Sequence, residues 1–276
     1  MKVYLYSLIC LLVLSCKEPH DSKSVSNQSS ILDSLIANEK TPGDEETTEF
    51  NWDSVNVDPL EYPNDSTPTS AYILSEGLFH GDEVIPEADK EKWIGLFYNN
   101  NKFWLAETKV QATKTFDGIL DEEGDSTGIK IKILSKDSCA FVLSGIYNLP
   151  LKPVQTVQLS KNIFYPNDSV TFDFKNIKYK ITTTGEREGE YFWNYKIYLT
   201  ITTGNSNTTQ LLLASSTLNY MAENFFVADI NNDGILDFVF DTSLSENMSR
   251  PTLYLSQKKG NEYIMKIVAF HTTTGC

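Results

Sequence analysis

The sequence predicts a mainly β protein, with antiparallel sheets in a sandwich-like or partial propeller-like arrangement, that follows a disordered tether. Three observations lead to this fold class. Residues 69–276 contain repeated segments of alternating apolar and polar residues, Gly, Asn, Asp and Pro separate these segments, and no long segment has the periodicity of an amphipathic helix. This length is enough for one large β domain or for two small ones.

Residues 1–15 have the layout of an export signal. Lys2 supplies a positive charge, residues 3–14 form an apolar run, and the small residue Ser15 precedes Cys16. As a helix the run would be about 20 Å long, which is too short for the ~30 Å hydrocarbon core of a bilayer. We therefore expect a cleaved signal peptide and no membrane-spanning helix.

The tetrapeptide Val-Leu-Ser-Cys at 13–16 resembles the processing site of bacterial lipoproteins. The resemblance implies cleavage before Cys16, lipidation of the Cys16 sulfur, and a lipid anchor in the outer membrane of a Gram-negative cell envelope, on its periplasmic or its external side. In the alternative interpretation, an ordinary secretory signal is cut elsewhere and Cys16 is a free thiol.

Residues 16–68 are predicted to form a disordered acidic tether. From Lys17 to Ser70 the chain has three basic and twelve acidic residues, so most of the net charge of −14 lies in this segment. Its Ser, Thr, Asn, Asp, Glu and Pro residues provide too little apolar surface to offset the entropy of ordering. The negative charge also argues against a nucleic-acid partner, because binding to phosphates would release no counterions from them.

The segments with strand periodicity are bounded by turn residues. In one of them Tyr195, Ile197, Leu199 and Ile201 are predicted to share the buried face. Turns are predicted at 99–101, 185–189 and 258–261, and residues 149–153, with two prolines, are either a boundary between two subdomains or a loop within one sheet system. The predicted strands are Trp93–Tyr98, Lys102–Val110, Gly128–Leu134, Ala140–Ile146, Ile177–Thr183, Tyr191–Thr203, Gln210–Ala214, Thr252–Ser256 and Tyr263–His271.

The loop Asp229-Ile-Asn231-Asn-Asp233-Gly-Ile235-Leu-Asp237 carries the strongest chemical signal. It places oxygen-bearing side chains at positions 1, 3, 5 and 9 and a glycine at position 6, which is the spacing that lets a tightly curled loop surround Ca²⁺. Three carboxylates about 5 Å apart repel one another by roughly 3 kcal/mol per pair at an effective dielectric near 20, and a cation would relieve this repulsion. Position 12 is Phe240 rather than glutamate, so an EF-hand is not expected.

Residues 226–240, from Phe-Val-Ala-Asp to Asp-Phe-Val-Phe, resemble the calcium loop of FG-GAP or VCBS-type repeats. The resemblance implies a loop between two strands of one sheet, with side-chain ligands from Asp229, Asn231, Asp233 and Asp237 and a backbone ligand from Ile235. The alternative is an Asx-rich turn that binds no metal. Residues 250–256 and 268–276 also resemble envelope lipoproteins that end in Gly-Cys, and that resemblance implies no activity.

Two cysteines remain once Cys10 leaves with the signal and Cys16 is lipidated. In an oxidising compartment we expect Cys139 and Cys276 to form a disulfide, and the alternative is two free thiols. No His-Glu-x-x-His pair and no Gly-x-Ser-x-Gly nucleophile motif is present.

The leading functional hypothesis is a membrane-anchored, calcium-binding lipoprotein that acts as a binding or accessory module at the cell envelope, with an unidentified glycan or protein partner. The alternative is a hydrolase that acts on glycans outside the cytoplasm. It rests on Trp93, Trp104, Trp193 and the Tyr-rich strands, although packing in a core explains such aromatic residues more simply.

Overall fold

The computed structural model describes residues 51–275, apart from 190, 205, 219–221, 224, 244, 246 and 261. The predictions of a signal peptide, a lipidated Cys16 and a disordered segment before residue 51 therefore lie outside the described residues. Residues 51–56 contain one turn of 3-10 helix, Trp52–Ser54, in which the Asn51 side chain accepts a hydrogen bond from the backbone N–H of Asp53. No helix in the described residues is long and apolar enough to span a membrane.

Eighteen β-strands account for nearly all of the secondary structure in the described residues. All of their pairings are antiparallel, which confirms the predicted fold class. The strands are β1 (Tyr72–Leu74), β2 (Gly77–Phe79), β3 (Trp93–Asn99), β4 (Lys102–Thr108), β5 (Val110–Thr115), β6 (Gly128–Ile133), β7 (Ser138–Ser144), β8 (Pro153–Val157), β9 (Ser169–Phe174), β10 (Ile177–Glu188), β11 (Tyr191–Thr203), β12 (Ser206–Leu218), β13 (Phe226–Asp229), β14 (Asp237–Asp241), β15 (Met248–Ser249), β16 (Pro251–Lys259), β17 (Glu262–Phe270) and β18 (Thr273–Thr274).

One nine-stranded sheet organises the fold, with the strand order β1-β7-β3-β4-β8-β13-β14-β16-β17. Its two edges approach each other, because the backbone N–H groups of Ser70 and Ala71, just before β1, both donate to the carbonyl of Val268 in β17. The first hydrophobic core cluster enclosed by this curved sheet includes Leu96, Leu105, Leu143, Val239 and Leu253, all nearly fully buried. The sheet is therefore continuous from the N-terminal to the C-terminal half of the chain.

A four-stranded sheet, β12-β11-β10-β9, packs on the β13–β17 half of the large sheet. Tyr195, Ile197, Leu199 and Ile201 are at most 4% exposed while the residues between them are partly exposed, as the sequence predicts. They meet Leu236, Phe238 and Phe240 in a second core cluster between the two sheets. This face-to-face packing is the sandwich-like element of the fold.

A three-stranded sheet, β2-β6-β5, covers part of the opposite half of the large sheet. Ile131 and Ile133 of β6 pack there with Trp93 and Val142 in a third core cluster. Trp93 is 2% exposed, and its indole N–H donates to the carbonyl of Ala88. A short two-stranded sheet, β15-β18, completes the set.

The ordered body begins before Thr69, the first residue of the predicted β region. Lys196 forms an ion pair with Asp58 at 2.7 Å, Tyr62 and Ala214 exchange backbone hydrogen bonds, and the buried guanidinium of Arg250 donates to the carbonyl of Pro63. Residues 57–68 therefore form a strap on the β-strands, although their polar composition matches that of the predicted tether.

Residues 149–153 lead into the middle of the large sheet. They precede β8, which pairs with β4 on one side and with β13 on the other. The chain before and after this proline-containing segment thus contributes to the same sheet.

Candidate functional site

The predicted calcium loop connects β13 to β14. These strands pair directly, with Phe226 opposite Val239 and Ala228 opposite Asp237. Asp229 is the last residue of β13 and Asp237 is the first of β14, so the sheet fixes both ends of the loop. This placement between two neighbouring strands agrees with the expectation from the sequence.

Hydrogen bonds from side chains to the backbone curl the loop. The carboxylate of Asp229 accepts from the N–H of Gly234 at 3.2 Å, the side-chain oxygen of Asn231 accepts from the N–H of Asp233 at 3.1 Å, and the carboxylate of Asp233 accepts from the N–H of Ile235 at 2.8 Å. Gly234 has a φ of +92°, a conformation that glycine adopts readily. The side chains at positions 1, 3 and 5 therefore each accept a backbone hydrogen bond from within the loop.

Asp237, at position 9, is fully buried. One carboxylate oxygen accepts from the N–H groups of Ile230 and Asn231 at 2.7 and 3.1 Å, and the other accepts from the N–H of Ser256 at 2.7 Å. Burial raises the pKa of Asp237 to about 7, although the three hydrogen bonds favour the ionised form. The buried carboxylate is thus paired with neutral donors, and a cation nearby would stabilise its charge further.

Lys175 supplies a positive charge that the sequence analysis did not identify. Its ammonium lies 2.8 Å from a carboxylate oxygen of Asp229, whose side chain is 1% exposed, whereas the Lys175 side chain is 42% exposed. Lys175 occupies the turn between β9 and β10, where it has a φ of +48° and also lies over the ring of Phe174. The lysine therefore balances one loop carboxylate from an element more than fifty residues away.

Two further side chains tie the loop to neighbouring strands. The hydroxyl of Ser256, in β16, donates to Asp233 at 2.6 Å and accepts from the Asn231 amide at 3.2 Å. The hydroxyl of Tyr179, in β10, accepts from the N–H of Leu236 at 3.0 Å. No local sequence pattern marks either residue, because each reaches the loop only through the packing of the sheets.

The oxygen donors of the loop have the chemistry that calcium requires, with three carboxylates, one amide and the carbonyl of Ile235. Their present arrangement is held by internal hydrogen bonds, and within the residues described no group of three or more His, Cys, Asp or Glu side chains is positioned to hold a metal. Ion binding by this loop would require the Lys175 ammonium to leave Asp229 and the carboxylates to move closer together.

Of the three cysteines in the predictions, Cys139 is the one that lies within the described residues. Cys139, in β7, forms no disulfide with the described residues; its thiol donates to the carbonyl of Phe141 at 3.2 Å, and burial raises its pKa to about 12. Cys276 and Cys16 lie outside the described residues. The disulfide between Cys139 and Cys276 and the lipidation of Cys16 therefore stay predictions.

Trp93, Trp104 and Trp193 do not form one aromatic face. Trp93 and Trp193 are 2% and 7% exposed and belong to the interior, whereas Trp104 is partly exposed beside a surface groove. The packing explanation that the sequence analysis gives for such aromatic residues accordingly applies to Trp93 and Trp193.

The second Asp-Gly-Ile-Leu-Asp sequence, at 117–121, forms a turn. Asp117 accepts from the N–H groups of Ile119 and Leu120 and lies 2.5 Å from Nδ1 of His80. This contact holds the pKa of His80 above, and the pKa of Asp117 below, their usual values, because each partner stabilises the charged form of the other. The pair joins the loop after β2 to the loop after β5.

Comparison of the chain with protein-family models, with curated proteins and with solved structures finds no match.

Proposed function

We propose that this protein is a lipid-anchored module of the bacterial cell envelope, with a binding or accessory role, in which a calcium ion stabilises the β13–β14 loop. One observation carries the proposal for the ion: Asp229, Asn231 and Asp233 each accept a backbone hydrogen bond from within the loop, while Asp237 closes it from a fully buried position. These residues hold positions 1, 3, 5 and 9 of one curled loop, which is the spacing that a calcium loop needs.

The position of the loop supports a structural role for the ion. Ile235 and Leu236 belong to the core cluster between the four-stranded and nine-stranded sheets, and Ser256 connects the loop to β16. A cation on the outer side of these residues would neutralise the acidic loop and hold β13, β14 and β16 together. The proposed ion therefore has a structural role, because it would connect neighbouring strands of the sheet.

Thermal unfolding of the full chain, with calcium and with chelator, tests the proposed ion. An ion that binds the native state and not the unfolded state stabilises the native state by about 1.4 kcal/mol when the calcium concentration is ten times the Kd. For a chain of this size, this corresponds to a rise in Tm of roughly 3–6 °C. Asp233→Ala should abolish the rise, because Asp233 is exposed and contributes one of the loop oxygens. Asp125→Ala, an exposed acidic residue outside the loop, is the matched control and should retain the rise.

A Tm of the unmodified chain that is the same in chelator and in millimolar calcium would refute the proposed ion. Loss of the calcium response in Asp125→Ala as well would show that the response comes from general acidity rather than from the loop.

Labelling of bacterial cells with an alkyne-tagged fatty acid tests the anchor. The proposal expects label on the mature protein and its recovery in the membrane fraction, and Cys16→Ser should remove both. Cys10→Ser, inside the signal, is the control and should remain labelled. Unlabelled native protein in the soluble fraction would refute the anchor without affecting the proposal for the calcium loop.

A further inference from the structure

A surface groove of about 560 Å³ lies at the tip of the β3–β4 hairpin. Its lining includes Asn99, Asn100, Asn101, Lys102, Trp104 and Pro153. The volume is in the range of small-molecule sites. The groove is distant in sequence from the calcium loop and shares no residue with it.

Trp104 provides a fixed aromatic surface in this groove. Its ring stacks on Phe97, which is directly opposite in β3, at a centroid distance of 6.1 Å and an interplanar angle of 27°. Phe97 is 3% exposed, whereas Trp104 is partly exposed and faces Pro153 of β8 across the sheet. The indole is therefore packed from within and available from outside, as a platform for the apolar face of a flat ring must be.

The polar side-chain groups around Trp104 have no partners among the residues that the structure describes. The amides of Asn99, Asn100 and Asn101, the ammonium of Lys102 and the indole N–H of Trp104 make no hydrogen bond or ion pair with the residues that the structure describes. Positive φ values at Asn100 and Asn101 explain why the tight turn uses asparagine, but the turn employs only their backbones. Each free amide offers both a donor and an acceptor, which is the combination that binds sugar hydroxyl groups.

The charge of the groove selects among sugars. Among the described residues that line it, Lys102 is charged and none is acidic, although the chain as a whole has a net charge of −14. A carboxylate on the ligand would meet this ammonium without repulsion from a neighbouring carboxylate. Charge complementarity therefore favours an anionic sugar over a neutral one.

We propose that this groove binds an acidic saccharide, with one pyranose ring stacked on Trp104, its hydroxyl groups bonded to the Asn99–Asn101 amides, and its carboxylate paired with Lys102.

Isothermal titration calorimetry of the full chain with trigalacturonate tests the proposal. Maltotriose serves as the neutral probe. We expect trigalacturonate to bind at least fivefold more tightly than maltotriose. Lys102→Gln should remove this preference and leave the affinity for maltotriose unchanged. Trp104→Ala should weaken both ligands at least tenfold, and Trp104→Phe should retain part of the affinity, because it keeps an aromatic ring on Phe97.

Matched controls separate the groove from general effects of charge and exposure. Lys114→Gln removes an exposed lysine from β5, and Tyr72→Ala removes an aromatic residue of β1 that is 48% exposed. Both should bind like the native chain, and an unchanged Tm shows that each groove variant is folded. Two results would overturn the proposal. One is that the native chain binds neither probe, and the other is that the double variant Trp104→Phe/Lys102→Gln binds trigalacturonate as tightly as the native chain. These outcomes leave the calcium response of the β13–β14 loop unaffected.

Discussion

Lys175 would compete with a cation for Asp229 in the proposed calcium loop. Its ammonium lies 2.8 Å from a carboxylate oxygen of Asp229, but its side chain is 42% exposed and can turn toward solvent. An incoming Ca²⁺ would have to displace this ammonium and tolerate its remaining repulsion. The lysine thus acts as an internal competitor of the proposed ion.

We predict that Lys175→Met increases calcium affinity several-fold, because the variant removes a like charge from the loop while it retains an apolar stem over Phe174. Lys178→Met, an exposed lysine of β10 outside the loop contact, is the control and should change the affinity by less than twofold. Calorimetric titration measures both. An affinity of Lys175→Met equal to or lower than that of the native chain would contradict this role.

The His80–Asp117 pair predicts a pH dependence of stability. The contact raises the pKa of His80, so its contribution is present at low pH and is lost as the pH rises through that raised value. The same contact lowers the pKa of Asp117, so its contribution is lost only as the pH falls through that lowered value. The pair is therefore at full strength between the ordinary pKa values of aspartate and histidine, 3.8 and 6.5, in mildly acidic solution.

We expect His80→Gln to destabilise the protein by roughly 1.5–3 kcal/mol at pH 5.5 and by clearly less at pH 9, as for a hydrogen bond between charged groups. Asp117→Asn should show the same trend, and the double variant should be little worse than either single one. Urea unfolding at the two pH values measures these differences. A loss for His80→Gln that is equal at both pH values would show that the histidine acts by packing alone.

At the scale of elements, Arg250 attaches the strap at residues 57–68 to the end of the nine-stranded sheet. Its side chain is 4% exposed and donates to the carbonyl of Pro63, to Asp65 and to the hydroxyl of Thr272. The carbonyl and the hydroxyl would lose their charged donor if the guanidinium were removed. The partner carboxylate of Asp65 is 90% exposed, so it can be solvated instead.

We therefore predict that Arg250→Met costs about 2–4 kcal/mol and that it accelerates cleavage by Glu-C protease after Glu61. Asp65→Ala should cost less than about 1 kcal/mol and leave the cleavage rate near that of the native chain, because exposed ion pairs contribute little. Chemical unfolding and mass spectrometry of the digest measure the two effects. Equal destabilisation by both variants would mean that the exposed ion pair, rather than the buried contacts, fastens the strap.

The strands show which elements a sequence can reveal. Strands with an uninterrupted alternation, such as β11, and hairpins with a strong turn signal, such as 99–101, match their predictions closely. The strands β1 and β2 have only three residues each, and β8 begins at Pro153, so neither length nor periodicity distinguishes them from loops. These elements form because neighbouring strands offer them hydrogen-bond partners, which is information from distant parts of the chain.

The same division applies to the candidate site. The sequence alone identifies the candidate loop from Asp229 to Asp237, because a curled loop needs its oxygen-bearing side chains at fixed short intervals. Lys175, in the β9–β10 turn, contacts Asp229, and Ser256, in β16, contacts Asp233, and the sheet order brings both to the loop from distant parts of the chain. The local chemistry of the loop is thus predictable, whereas the charge balance around it depends on the tertiary structure.

At the scale of the whole molecule, the two largest core clusters lie on opposite faces of the same strands. In β14, Phe238 and Phe240 point into the cluster beneath the four-stranded sheet, while Val239 between them points into the cluster enclosed by the curved sheet. In β16, Leu253 and Tyr254 divide in the same way. Unfolding of either cluster would therefore expose strands that the other cluster needs.

This sharing predicts one cooperative unfolding transition for the body, rather than separate transitions for parts before and after residues 149–153. Leu105→Ala, in the cluster enclosed by the curved sheet, and Ile197→Ala, in the cluster beneath the four-stranded sheet, should each cost roughly 2–5 kcal/mol and lower the same single Tm. Differential scanning calorimetry measures the number of transitions, and tryptophan fluorescence should report the same midpoint. Two calorimetric peaks, each shifted by only one of the variants, would show instead that β8 joins two units that unfold independently, despite its hydrogen bonds to both β4 and β13.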